Sequence, residues 1–370
     1  MNKVKVCIID EGLEVGKLNE LVSDIPPINI IQDKGFHNTS EIGHGTICSA
    51  LLLESLHKYN IMDEVSITHY SVTGNGEPRN YKAFLSALQY CVRTRMDIVS
   101  MSIGVMNRAF AKEIDQVLEA LRDTLIVASA SNNCKLTYPA SISSVLGVKN
   151  LPLQSAPRYT MVEDPPDGVE LIVNLPKSSL IRKIEHKYQF ISADSNSFIP
   201  PQVCAEIITE SLANKIKATK RLAMKWLTGD AGSGKKTYSF FPKETVEDDK
   251  IPIIQLEYAG EITYKVLSRA KRIKSRFDNL LYPCSLIAET IDTDDFIQGI
   301  YQLDTTFAAD CINYYQYVVS DSLILVLSRK ETTCYPFDFV LSDWIDLDIS
   351  DICRLILQQF QEHEHDEESK

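Results

Sequence analysis

Four polar residues stand where their chemistry could be used. Asp10 closes the apolar run Val6-Cys7-Ile8-Ile9 and is followed by Glu11-Gly12. A carboxylate at the C-terminal edge of a parallel strand lies where α/β sheets build their sites. His44 sits in Gly43-His44-Gly45-Thr46. Glycines on both sides of it let the backbone pass close to a ligand or another strand. Ser197 lies just before a helix that starts at Ile199, within reach of the positive end of its dipole. Asn132 ends the run Val127-Ala128-Ser129-Ala130-Ser131-Asn132. Taken singly, three of them have a plainer role: a turn aspartate, a core histidine, an N-cap serine.

The elements that must hold these groups follow from periodicity. Val4–Ile9 is a short β-branched apolar run and reads as a buried strand. Helical spacing covers Gly43–Leu56, Asn80–Thr94 and Lys112–Arg122, with strands expected at Val65–Val72, Asp97–Ile103 and Thr124–Ser129. This alternation predicts a parallel sheet with helices on its faces. A strand is expected at Val169–Val173. One long helix is expected from Ile199 toward Trp226, entered through Pro200-Pro201, which a first turn tolerates. Leu227–Lys236 is rich in Gly and reads as a linker, and a second alternation follows it. The expected division is a domain at 1–228, a linker at 229–249, a smaller α/β domain at 250–360 and a disordered acidic tail at 361–370.

Bulk properties exclude several classes. The 370 residues carry a net charge of −12, which argues against a nucleic-acid binder. No apolar run approaches the roughly 20 residues that span a bilayer. The N-terminus lacks the apolar core of a signal peptide. The nine cysteines lie singly, with no CxxC pair, so no zinc site is expected. Free thiols without an export signal predict a reducing, cytoplasmic setting. Gly229–Thr237 nearly matches a phosphate-binding loop, but Lys236 stands where Ser or Thr should bind magnesium, and a helix precedes it where a strand should. The turn Ala259-Gly260-Glu261 after Ile251–Tyr258 has the look of a nucleotide-binding start without the Gly-Lys. The basic helix Arg269-Lys271-Arg272-Lys274-Arg276 reads as a solvated face that could also dock an acidic peptide.

Together the segments resemble the subtilase family. The Asp motif is Val6–Gly12, the His motif Gly43–Ala50, the oxyanion motif Val127–Asn132 and the Ser motif Asn196–Val203. Asp97–Gly104 is similar to the family's substrate-binding strand, and Tyr138-Pro139-Ala140-Ser141 is another familiar segment. The order Asp, His, Ser is the subtilisin order, with gaps of 34, 88 and 65 residues between Asp10, His44, Asn132 and Ser197. The resemblance covers roughly residues 1–225. It implies a three-layer α/β domain with a mostly parallel sheet and a serine endopeptidase activity. Ser197 would attack the carbonyl, His44 would move the proton, and Asp10 would fix the imidazole. Asn132 and the Ser197 N–H would hold the oxyanion. Ser102, Ile103, Gly104, Ser129 and Ser131 would line the substrate, and no cofactor or metal is implied.

Departures from the family pattern narrow the expectation. Asn196 stands where the family has a threonine that supports the oxyanion, and an amide can do the same work. Ser131 replaces a glycine and should narrow the specificity pocket. Cys48, one helical turn after His44, reads as a small buried residue. The catalytic Asp arrives at residue 10, with no propeptide ahead of it. This resembles intracellular and peptide-maturing members, and the C-terminal domain favours cleavage of a leader from a ribosomally made precursor. General protein turnover and a non-catalytic scaffold remain as alternatives. The expected partner is a peptide or protein substrate, without nucleic acid or membrane insertion. Glu77-Pro78-Arg79 replaces a Gly-rich edge strand, and Arg79 should favour an acidic residue upstream of the cut. Arg79→Glu should therefore reduce kcat/KM for peptides with Asp or Glu upstream, read on matched acidic and neutral peptides. Equal cleavage of both by the variant and the parent would remove that role.

Overall fold

The computed structural model describes residues 3–32, 42–73, 81–151, 157–189, 195–229, 251–289, 291, 294–329 and 335–367, with side chains through 359. The chain forms two compact units. One comprises Met1–Met106 and Phe110–Lys236, the other Asn107–Ala109 and Thr237–Lys370.

The first unit contains, in order, β1 (Val4–Glu11), α1 (Val15–Leu21), β2 (Ile28–Ile31), α2 (His44–Lys58), β3 (Val65–Thr73), α3 (Tyr81–Thr94) and β4 (Ile98–Met101). Then come α4 (Ala111–Glu119), β5 (Leu125–Ser129), β6 (Leu146–Asn150), β7 (Tyr159–Met161), β8 (Leu171–Val173), α5 (Ser179–Tyr188), α6 (Ile199–Asn214) and α7 (Lys220–Thr228). The strands make one eight-stranded sheet in the order β2-β3-β1-β4-β5-β6-β8-β7. Among the described residues, only the β7–β8 pair of this sheet is antiparallel. This is an α/β domain with a mostly parallel sheet, as the resemblance implied.

β1 lies inside the sheet, between β3 and β4. It is apolar on both faces because helices cover both. Val6 and Ile8 pack into the core that holds α2 and α6. The period of two puts Cys7 and Ile9 on the other face and returns Asp10 to the side of Val6 and Ile8. α2 packs on β1 and alongside α6, while α3 packs on β3 and α4. The first turn of α2 runs tight against the end of β1. A Cβ on Gly45 would lie 2.2 Å from the Glu11 carbonyl oxygen, so only glycine fits there.

Several expectations shift. The long helix beyond Ile199 is two helices. Lys215 takes a left-handed conformation with φ of 55° and ends α6. The Thr219 hydroxyl then caps α7 by accepting from Leu222 N–H at 3.3 Å. The strand expected to reach Ile103 stops at Met101. Val105 beyond it pairs with Tyr138, exchanging backbone hydrogen bonds of 2.8 and 2.9 Å. α1, β2, β6, β7 and α5 were not legible from periodicity, being short or broken in pattern.

The second unit has β9 (Ile253–Tyr258), α8 (Tyr264–Asn279), β10 (Cys284–Ala288), β11 (Ile300–Gln302), α9 (Ala308–Val318), β12 (Leu323–Arg329), β13 (Phe339–Leu341) and α10 (Ile349–Glu367). Its five parallel strands run β11-β10-β12-β9-β13. α8 and α10 pack on each other over a core that includes Leu286, Leu325, Ile273, Phe277 and Ile352. Trp344 is fully buried there and donates to the Glu257 carbonyl at 2.8 Å. α10 continues to Glu367, so the acidic stretch from Gln361 to Glu367 is helical and not the disordered tail expected. After β9 the chain turns at Gly260 into α8, as a nucleotide-binding unit would. A carboxylate, Glu289, stands at that sheet edge 3.2 Å from the Tyr258 hydroxyl, where a phosphate would be repelled. Residues 230–237 of the near-match to a phosphate-binding loop lie outside the described residues, as does most of the expected linker.

Candidate active site

The sheet and two helix N-termini bring three side chains into one chain of hydrogen bonds. Asp10, at the end of β1, is fully buried. Its Oδ1 accepts from the Glu11 backbone N–H at 2.7 Å and lies 2.8 Å from His44 Nδ1. Asp10 Oδ2 is buried with no hydrogen-bond partner. His44 is the first residue of α2, and its Nε2 lies 2.8 Å from Ser197 Oγ. Ser197 sits in a short 3-10 turn, Asn196–Phe198, that leads directly into α6. Because α2 and α6 pack side by side, their first residues meet. The Phe198 ring stacks on the His44 imidazole, with centroids 5.5 Å apart and planes 21° from parallel.

The donor and acceptor roles follow from the partners. A carboxylate can only accept, so His44 Nδ1 carries the proton and Nε2 accepts from the Ser197 hydroxyl. Burial disfavours charge on Asp10, but the facing His44 charge and the His44 and Glu11 hydrogen bonds outweigh it and hold the carboxyl below its usual value. Burial also pulls His44 down, and the Asp10 carboxylate overrides that and raises it well above its ordinary range. Cys48 Sγ lies 3.7 Å from His44 Nδ1 and 3.6 Å from the Ser197 carbonyl. Burial pushes its thiol up to about 11, so it is neutral near pH 7 and adds no charge beside His44.

Asn132 is placed by two donors. Its Oδ1 accepts from the Asn196 backbone N–H at 2.8 Å and from the Ser195 hydroxyl at 3.2 Å. The opposite edge of the amide is therefore its N–H₂, turned away as a donor. The Asn196 side chain braces the same loop. It donates to the Ser131 carbonyl at 2.8 Å and accepts from Asn150 N–H at 2.7 Å. The Ser195 Oγ is also 2.6 Å from Ser197 Oγ.

Of the residues expected to line the substrate, Ser102, Ile103 and Gly104 follow β4 directly. A Cβ on Gly104 would lie 2.8 Å from the Tyr138 carbonyl oxygen, which accounts for the glycine. Ser129 ends β5 and is buried. Ser131 turns its hydroxyl to Asn133 Oδ1. Arg79 lies outside the described residues.

Sequence reasoning missed Ser195 and His69. His69 is buried on β3, with Nε2 2.7 Å from the Glu11 carbonyl and Nδ1 3.0 Å from Ser49 Oγ. The carbonyl only accepts, so Nε2 donates to it, and Nδ1 faces the Ser49 hydroxyl. It fixes the turn after Asp10 to α2. An imidazole inside the apolar run Val65–Thr73 was the available signal, since a buried polar group needs partners.

The sequence signature of the subtilase family matches residues 1–206. The chain belongs to the subtilase family. It is a serine endopeptidase, and its substrate is a peptide or protein chain. Among solved structures this subtilase is similar to a lanthipeptide protease, with a TM-score of 0.43 and 16% identity over 62% of this chain and 81% of that one. It is similar to a cold adapted subtilisin-like serine proteinase, with a TM-score of 0.44 and 16% identity over 60% and 80%. It is also similar to the prenylagaramide maturation protease PagA, with a TM-score of 0.37 and 12% identity over 60% and 81%. No helix among the described residues is long and apolar enough to cross a membrane.

The Asp10–His44 contact has a measurable sign. The lowered Asp10 and raised His44 values mean that the pair stabilises the fold most between about pH 4 and pH 6.5, and that this contribution fades as pH falls through the folded Asp10 value or rises through the folded His44 value. In an NMR titration of the imidazoles, His44 should turn over above the ordinary histidine range. Asp10→Asn should move that midpoint down. An unmoved midpoint would show that the Asp10 charge does not act on His44.

Proposed function

We propose that the subtilase unit cuts its substrate through Ser197, His44, Asp10 and Asn132. The observation that carries this is the unbroken run of 2.8 Å contacts from Asp10 through His44 to Ser197. His44 Nε2 takes the Ser197 proton as Oγ attacks the scissile carbonyl, then returns it to the leaving amine. Asp10 stays ionised, holds the tautomer and faces the imidazolium that forms. The Asn132 N–H₂ and the Ser197 backbone N–H receive the oxyanion. Ser102–Gly104, Ser129 and Ser131 line the substrate in this reading.

Ser195 works beside the nucleophile. Its one proton can go to Ser197 Oγ at 2.6 Å or to Asn132 Oδ1 at 3.2 Å. In the first position it polarises the nucleophile, and in the second it orients the oxyanion donor. Ser195→Ala should lower kcat by about tenfold, the worth of one hydrogen bond, with KM nearly unchanged.

The substrate we propose is a ribosomally made precursor peptide from which a leader is removed. Two features support a restricted diet. Ser131 puts a hydroxymethyl where the family has none, and a separate α/β unit that the bond-cutting chemistry does not use follows the peptidase unit. We divide the chain as a peptidase domain at 1–228, a connection at 229–249 and an accessory domain from 250. The eight described cysteines are all free, which suits a reducing compartment such as the cytoplasm.

Cleavage by the wild type and by Ser197→Ala, on casein and on precursor peptides encoded nearby, tests both levels, with mass spectrometry as the readout. We expect one precursor cut at one bond, casein spared, and the variant slower by about 10⁴-fold or more. Broad casein digestion would indicate turnover. Cutting by Ser197→Ala at the wild-type rate would remove Ser197 as nucleophile.

A further inference from the structure

The accessory unit contains a cavity that the peptidase chemistry leaves unused. It lies between α8 and the loop Asp346–Asp348 that enters α10, and it holds about 740 Å³. Arg269, Arg272 and Arg276 line it from one side. Their spacing puts all three on one face of α8. This is a local reversal in a chain whose net charge is −12.

The three guanidinium groups are not used up by the fold. Arg269 reaches the Leu347 carbonyl through one terminal nitrogen, while its Nε is buried without a hydrogen-bond partner. That buried donor is a cost unless something in the cavity accepts from it. Arg272 and Arg276 are exposed and form no ion pair among the described residues. By contrast, Lys274 on the same helix is buried and paired with Asp278 at 2.7 Å. The acids in the wall offset this only in part. Asp348 is engaged at the start of α10, where its Oδ1 accepts from Ser350 N–H at 2.7 Å. Ile349 and Ser350 open the first turn of α10 into the same cavity, which adds the positive end of a 19-residue helix.

We infer that the Arg269–Arg272–Arg276 face of α8 docks an acidic peptide segment of the substrate. Its assignment to the precursor leader rests on the reading under Proposed function. Arginine forks suit carboxylates, which they meet with two parallel hydrogen bonds. Asp346 and Asp348 in the wall disfavour a densely charged polyanion such as RNA and tolerate spaced Asp and Glu. The acidic stretch of α10 itself, from Gln361 to Glu367, is held in the helix, which carries it away from the cavity over about 25 Å between Ser350 and Glu367.

The test is fluorescence anisotropy on the full chain carrying Ser197→Ala, so that no peptide is cut. One labelled probe of about twelve residues carries spaced Glu and Asp, and its counterpart carries Gln and Asn. We expect the acidic probe to bind at least about tenfold tighter at low salt. Arg272→Gln with Arg276→Gln should abolish that difference, and raising salt should shrink it. Both side chains are exposed, so the variant keeps the fold, which circular dichroism checks. Equal binding of the two probes, or an unchanged preference in the variant, overturns the proposal. So does an RNA oligonucleotide that outcompetes the acidic peptide for the same arginines. So does an effect confined to self-association in sedimentation, which would make a second copy's acidic end the occupant. On a precursor with an acidic leader, the double variant should raise KM and leave kcat alone. If no precursor is cut, the leader reading fails while the binding result stands or falls on its own.

Discussion

The site depends on one close approach. α2 begins against the end of β1 with no room for a side chain at residue 45, because a Cβ there would sit 2.2 Å from the Glu11 carbonyl oxygen. That contact places residue 44 over residue 10. Once α2 is seated, α6 packs beside it, and its leading turn can deliver Ser197 to His44. His69 secures the same junction from beneath by holding the Glu11 carbonyl and Ser49 of α2. The hydrogen-bonded chain is a consequence of how a strand end and two helix starts share a small volume.

The electrostatics follow from that geometry. Asp10 is fully buried and keeps its charge because His44 faces it. His44 remains 27% exposed on its outer side, so one edge of the imidazole is open while the other is held by Asp10. Cys48 is as close to the imidazole as a ligand could be, yet burial keeps it a neutral thiol and so it does not compete for the Nδ1 proton. Asn132 shows the same economy. Its orientation is decided by the Ser195 and Asn196 donors that hold its Oδ1.

Much of this was legible in the sequence, for reasons that differ by residue. Asp10, His44, Asn132 and Ser197 could be found because each sits in a local pattern, a strand end or a helix start, that a short window contains. The parallel sheet was legible because β1, β4 and β5 are short apolar runs and β3 is rich in β-branched residues, with stretches of helical spacing between them. The partners that brace the site were harder. His69 acts through Glu11, 58 positions away, and Ser195, though it neighbours Ser197, reaches Asn132 across 63 positions, which no window spans. The break between α6 and α7 escaped because apolar spacing continues across it, while the left-handed Lys215 that ends α6 has no sequence mark such as glycine. α1, β2 and α5 are short elements whose identity comes from what they pack against.

The two tryptophans are apportioned one to each unit. Trp226, on α7, packs at the margin of the core beneath the subtilase sheet, and Trp344 is sealed inside the second. Their indoles therefore see different surroundings, one half-wet and one dry. The chain carries a separate intrinsic fluorophore for each unit, with the emission of Trp344 set to the blue of Trp226. Each unit's melting can be followed by its own colour, without a label and without cutting the chain in two.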